Sequence, residues 1–158
     1  TLTGTRRCEP FVLFLKNMSA MNPYTEEERA YAAQVARFLR KEVDPLSRQI
    51  EEDDAVPPSL LKSAAEFGLF GLTIPEEYGG SGLTLAGKCA VEEVMGATNY
   101  GFATVIGNHT GISTAGLVAL GNEAQKKKYL PRMASGEWVG TFALTEPSAG
   151  SSIHTFVI

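Results

Sequence analysis

The sequence predicts a mainly all-α protein in which five helical segments precede one β-rich run, and three observations carry that expectation. Apolar residues recur at helical spacing from Val35 to Thr98 and again after Phe102. Two capping boxes, Thr25 with Glu28 and Asn122 with Gln125, mark helix starts near the two ends of this region. A β-rich composition occurs only at Trp138 to Thr145, bounded by Gly136 and Pro147.

Each element has a local reason. In the first, the Thr25 oxygen accepts a helical N–H while Glu28 reaches back, and the acids Glu26, Glu27 and Glu28 favour the positive helix end. Val35, Phe38, Leu39 and Val43 form its apolar face, and Pro45 predicts a stop or kink at Asp44. Pro57-Pro58 opens a second helix with Leu61, Ala64 and Ala65 inside and Gly68 at its end. Glu76 to Gly82 reads as a long turn, after which Thr84 caps a third helix with Val91, Val94, Met95 and Thr98 inward. The fourth, Phe102 to Leu120, keeps a helical period through Val105, His109, Ile112 and Gly116. Its glycines each cost about 1 kcal/mol relative to alanine, so close packing or room for a ligand must offset them. Gly121 ends it, and the Asn122 box opens a fifth that Pro131 bends or shortens and Gly136 closes. A lone strand over Trp138 to Thr145 leaves both its edges unpaired, so the chain is expected to stop inside a β structure it does not contain.

Composition limits the function classes. In 158 residues, 14 Lys+Arg stand against 18 Asp+Glu, a net charge of −4 that argues against nucleic acid and anionic membrane as partners. The early apolar run Phe11 to Leu15 is far shorter than the ~20 residues that span a bilayer. Cys8 and Cys89 match no zinc or redox spacing and suit a reducing compartment. Residues 1–23 show no sustained period and read as a disordered tail, an expression remnant or a damaged presequence, with Met18 and Met21 as alternative starts.

The chemical candidates are few. No metal site is expected from two histidines, and His109 reads as a hydrogen-bonded core residue. Tyr78 to Gly82 lacks dinucleotide or P-loop spacing, Lys126-Lys127-Lys128 reads as a solvated face, and the adjacent Glu92 and Glu93 point about 100° apart on a helix. One stretch resists a structural explanation: in Phe142-Ala143-Leu144-Thr145-Glu146-Pro147-Ser148-Ala149-Gly150-Ser151 a strand ends in a hydroxyl and runs into a turn rich in N–H groups and hydroxyls. Such an end can hydrogen-bond the edge of a flat heterocycle, and its turn amides can hold phosphate.

That stretch resembles the flavin-binding signature of acyl-CoA dehydrogenases. Gly68 to Gly82, Gln125 to Pro131 and Ser135 to Trp138 agree with the family in order and spacing, so the resemblance runs from about Tyr24 to Ser151. It implies a helical N-terminal domain over 24–136, followed over 137–158 by the first strand and flavin-binding turn of a truncated β-barrel. It implies FAD as cofactor, with Phe142, Ala143, Leu144, Thr145, Gly150 and Ser151 at the flavin. Ser151 would also approach acyl-CoA, and Ala103, Thr104 and Gly107 would line part of the acyl pocket. An electron-transfer flavoprotein as electron acceptor, a homo-oligomer, and a bacterial cytoplasmic or mitochondrial matrix location follow from the same likeness. The family's catalytic base lies in a C-terminal bundle, so none of Glu92, Glu93, Glu137 or Glu146 is assigned to catalysis, and the chain is expected to be a fragment inactive alone. Ser152 stands where the family usually has Asp, and Ile153 to Ile158 does not continue the barrel pattern. The rival expectations are a non-catalytic helical module pairing with full-length subunits, and a fragment of a related flavin oxidase or monooxygenase.

Overall fold

The chain from Tyr24 to Thr145, with Pro147, is described by a computed structural model, and the expectations for the tail 1–23 and for Glu146, Gly150, Ser151 and Ser152 to Ile158 lie outside the described residues. Among the described residues seven α-helices follow in order: α1 Glu26–Phe38, α2 Ser47–Asp53, α3 Pro58–Glu66, α4 Leu85–Met95, α5 Tyr100–Asn108, α6 Thr114–Leu120 and α7 Glu123–Ala134. Both capping boxes form as read. Thr25 Oγ1 accepts from Glu28 N at 3.1 Å while Glu28 Oε2 accepts from Thr25 N at 2.9 Å, and Asn122 and Gln125 exchange two bonds of 2.9 Å. Asn122→Ala should cost about 1 kcal/mol, read as a thermal midpoint lower by about 3 °C. An unchanged midpoint would mean that α7 is held by packing alone.

The caps also tie helices to one another. Thr84 Oγ1 accepts from Gly87 N at the start of α4 and donates to Glu28 Oε1 at 2.6 Å, so one carboxylate serves the N-termini of α1 and α4. The Thr84 hydroxyl first, and then the Thr25 N–H, hold the Glu28 carboxyl below its ordinary range.

Pro45 acts differently from expectation. Helical backbone continues past it through a π turn, Leu39–Val43, and a 3₁₀ turn, Asp44–Leu46, into α2. Asp44 keeps right-handed helical angles (φ −55°, ψ −38°) before the proline. The wider π turn gives the helix the slack to pass a ring that cannot donate an N–H, and the Asp44 carboxylate is anchored by the Thr98 hydroxyl at 2.6 Å. The chain turns out of α2 at Asp54, which takes left-handed angles.

The core has two centres. Val35, Leu39 and Val43 from α1 and its π turn meet Ile50, Leu60, Ala64, Leu69, Phe70, Leu72, Val91, Met95, Phe102 and Ile106. A second cluster joins Ile74, Tyr78, Leu130, Met133 and Ala134, with Trp138 packed against it. Gly68 takes the left-handed conformation expected of it (φ 92°), and the Glu76 to Gly82 stretch is a turn closed on residues 71–75 by backbone bonds.

The fourth expected helix is two. Asn99 caps α5 through Phe102 N at 3.0 Å, and a π turn, His109–Ser113, separates α5 from α6. The buried residues are Phe102, Ile106, Thr110 and Thr114, with His109, while Ile112 is 54% exposed and Gly116 lies at the surface. Four-residue steps overshoot the 3.6-residue turn by about 40° each, and the wide turn absorbs that drift so that one face stays buried. Buried hydroxyls are satisfied within the helix: Thr110 Oγ1 donates to the Ile106 carbonyl and Thr114 Oγ1 to that of Thr110.

The strand expected over Trp138 to Thr145 is not formed among the described residues; residues 139–145 are neither helix nor strand. A strand exists through its ladder, and among the described residues no neighbouring strand supplies one. Helices make their own hydrogen bonds, which is why the all-α part stands without that partner.

Candidate functional site

The stretch expected to meet a planar cofactor leaves the helical domain at a defined point. Trp138 N–H donates to the Arg132 carbonyl at 3.0 Å, and its ring lies 5.9 Å from that of Tyr129 with the Arg132 guanidinium 4.6 Å above it. Two residues later, Gly140 N–H donates to His109 Nδ1 at 2.9 Å. His109 is therefore the hydrogen-bonded core histidine the sequence suggested, fully buried with Phe70 edge-on at 5.0 Å. Its Nε2 is buried with no hydrogen-bond partner.

Beyond Gly140 the chain lies at the surface. Phe142, Ala143, Leu144 and Thr145 are all exposed, Phe142 by 54% and Leu144 by 48%. Their backbone groups make no hydrogen bond to another described residue. Apolar side chains beside free N–H and C=O groups form a surface that asks for an occupant with an apolar face and a polar edge.

The small-residue helix presents a second feature. Thr73, Leu83, Leu85, Lys88, Thr110, Gly111, Ala115 and Val118 line an open groove of about 350 Å³. Lys88 is 9% exposed and pairs with Glu92 one turn along α4. Ala103 packs against the main core instead, and Thr104 is half-buried. A Cβ on Gly107 would meet nothing within 4 Å. Gly107 lies one helical turn before Gly111, so it continues the groove's small-residue face without lining it.

The described carboxylates do not converge. Glu92 takes the Lys88 ammonium, Glu93 accepts from the Tyr24 hydroxyl at 2.7 Å, and Glu137 lies 3.8 Å from Arg132. The Glu93 hydrogen bond, with burial second, pushes the Tyr24 hydroxyl up to about 12. Lys127 and Lys128 are exposed and Lys126 half-buried, as a solvated face requires. No group of three or more His, Cys, Asp or Glu among the described residues could hold a metal, and Cys89 is an exposed free thiol. Sequence reasoning missed Lys88 and the role of Gly140; a glycine inside a β-rich run, marking close backbone approach, was the available signal for the last.

The family model described as "Acyl-CoA dehydrogenase, N-terminal domain" matches residues 25–137. The chain belongs to the acyl-CoA dehydrogenase family. It is 35% identical over 127 residues to an acyl-CoA dehydrogenase of Bacillus subtilis, covering 80% of this chain and 34% of that protein. It is also 35% identical over 136 residues to a mitochondrial isovaleryl-CoA dehydrogenase of Pongo abelii, covering 85% and 32%. A solved acyl-CoA dehydrogenase from Bacillus anthracis, complexed with FAD, superposes with a TM-score of 0.73 at 41% identity over 81% of this chain and 22% of that one. The chain thus spans about a third of the length of the curated acyl-CoA dehydrogenases it matches.

The flavin-contact residues suggested by likeness to these dehydrogenases fall in two groups. Phe142, Ala143, Leu144 and Thr145 lie together on the exposed segment, whereas Gly150 and Ser151 lie outside the described residues. The first group fits a flavin, since its exposed apolar side chains and unengaged backbone groups match a ring with one apolar face and one hydrogen-bonding edge.

Proposed function

We propose that this chain is the N-terminal part of an FAD-dependent acyl-CoA dehydrogenase, an enzyme that removes hydrogens from Cα and Cβ of an acyl-CoA thioester. The observation that carries this reading is the junction itself: the family match ends at residue 137, a few residues before the exposed segment that carries Phe142 to Thr145. Residues 24–136 serve as the helical domain and 137–158 as the opening of a β domain. Phe142, Ala143, Leu144 and Thr145 bear on the flavin ring, Gly150 and Ser151 on the rest of FAD, and Ser151 also on the substrate. Ala103, Thr104 and Gly107 form one wall of the acyl pocket, a role suited to small side chains. When bound, FAD supplies a hydride acceptor. An electron-transfer flavoprotein then takes the electrons, and the working enzyme is a homo-oligomer, in the cytoplasm of a bacterium or the matrix of a mitochondrion. Among the described residues no helix is long and apolar enough to cross a membrane.

Taken alone, this chain is inactive in our reading. Removal of the α-proton needs a base held within hydrogen-bond reach, and each described carboxylate near α4 or α7 is committed to a local partner. Purified chain mixed with acyl-CoA and an electron-accepting dye should give no turnover above the free-flavin rate. Sustained acyl-CoA-dependent dye reduction would overturn the inactivity, and the absence of any flavin binding in an intact relative carrying Phe142→Ala and Thr145→Ala at the matching positions would support the assigned contacts.

A further inference from the structure

The backbone at Gly140 is pressed into the π turn that separates α5 from α6. A Cβ on Gly140 would lie 1.9 Å from Ser113 Oγ, 3.0 Å from Ser113 Cβ and 2.6 Å from Met133 Cε. At the other end of the same turn, His109 Nδ1 receives the Gly140 N–H. A backbone amide can only donate, so Nδ1 must be the bare nitrogen and the imidazole proton must sit on Nε2. That nitrogen is buried and partnerless. The one hydrogen bond of good geometry that the ring makes is the one that holds the exit of the 140–145 segment.

We propose that His109 is a positioning residue: as a neutral imidazole it latches Gly140 to the helical domain and sets where the Phe142 to Thr145 segment departs, and its protonation releases that segment. A protonated ring has two donors and no acceptor, so the Gly140 N–H would face another N–H while a charge is buried beside Phe70. No charged side chain nearby is free to compensate that charge. Helices α5 and α6 carry no charged side chain, nor do residues 69–71 or 138–145. On α7, the Arg132 guanidinium lies over Trp138 and 3.8 Å from Glu137; on α4, Lys88 is paired with Glu92. Burial accordingly lowers the affinity of His109 for a proton, and the Met133 and Phe70 carbonyls oppose that only in part. Because the latched state binds the proton more weakly than the open one, the latch is at full strength above the ordinary histidine value of 6.5 and weakens as pH falls below it. Its bearing on cofactor binding rests on reading Phe142 to Thr145 as flavin contacts; the latch itself does not.

The test is ¹⁵N NMR on the full chain without cofactor. The His109 proton should reside on Nε2 at neutral pH, and the Gly140 amide should be protected from solvent exchange. Between about pH 7.5 and about pH 5.5 its protection factor should fall, as expected when the closed state binds the proton more weakly than the open one. His109→Asn, whose Oδ1 stands where Nδ1 does, should keep Gly140 protected at both pH values. His109→Leu, of similar size without an acceptor, should leave it unprotected at both. A proton on Nδ1, or protection that is independent of pH and unchanged in His109→Leu, would overturn the proposal. If either variant fails to fold, the wild-type tautomer and the pH dependence of Gly140 exchange decide alone. Failure to bind FAD with the latch intact would count against the flavin reading and leave this one standing.

Discussion

Phe70→Ala should lower the stability of the folded chain by about 4 kcal/mol, within the range measured for deleting a buried aromatic side chain. Phe70 is 1% exposed and belongs to the larger cluster, yet its ring also lies edge-on to His109 and would be 3.3 Å from a Cβ on Gly136. It thus connects the main core to the junction from which the exposed segment leaves. Nothing around it can collapse easily into the space, because Leu69, Leu72, Phe102 and Ile106 are themselves fully buried. Urea unfolding followed by far-UV circular dichroism should show the midpoint falling with an unchanged slope. Since stabilities of whole domains are about 5–15 kcal/mol, the variant should sit near the edge of folding. A loss below about 1 kcal/mol would mean that the site is loosely packed. The same change should admit water to His109 and move its proton affinity back toward the ordinary value, because burial is the main cause of the shift.

The second large effect is expected at Gly80. A Cβ there would lie 2.0 Å from the Ile74 carbonyl oxygen and 2.6 Å from both the Ile74 carbonyl carbon and its Cβ. Two of the three obstacles are backbone atoms, which no rotamer change can move. The Ile74 carbonyl also accepts the Gly82 N–H at 2.9 Å, beside Ser81 N to Gly71 O and Leu83 N to Leu72 O, both at 2.8 Å. Gly80→Ala must therefore displace the turn and weaken these bonds together. Overpacking and the lost bonds sum to about 3 kcal/mol or more, lowering the thermal midpoint by about 10 °C. Gly79→Ala is a useful comparison: its Cβ meets nothing within 4 Å, so only its positive φ of 83° opposes the change. A Gly80→Ala protein as stable as Gly79→Ala would show that the close approach carries no weight.

Much of the helical architecture was legible because its signals are local. Thr25 and Glu28, Thr84 and Gly87, and Asn122 and Gln125 are each three residues apart, so the cap can be read without knowing the fold. Gly68 was legible for a similar reason, since a helix end needs a left-handed residue and glycine adopts that conformation without strain. The family was legible through motifs held in order along the chain. The candidate site was legible only in part: Phe142 to Thr145 could be chosen by likeness, but their exposure and their anchor at His109 could not.

What the sequence determined by itself, then, is the capped helix starts at Thr25, Thr84 and Asn122, the helix end at Gly68, the apolar residues available for a core, and the membership of the chain in the acyl-CoA dehydrogenase family. What the tertiary structure alone decided is how interruptions are absorbed and which distant groups meet. Pro45 was passed through the Leu39–Val43 π turn because residues on both sides of it, Val43 and Ile50, are buried in one core. The His109–Ser113 turn fixed which face of the glycine-rich helices went inside. The 138–145 run stayed without a ladder because a strand's hydrogen bonds lie with a neighbour. Bonds within one turn can be read from spacing, whereas a bond such as Gly140 N to His109 Nδ1, across 31 residues, exists only once the packed core has brought its ends together.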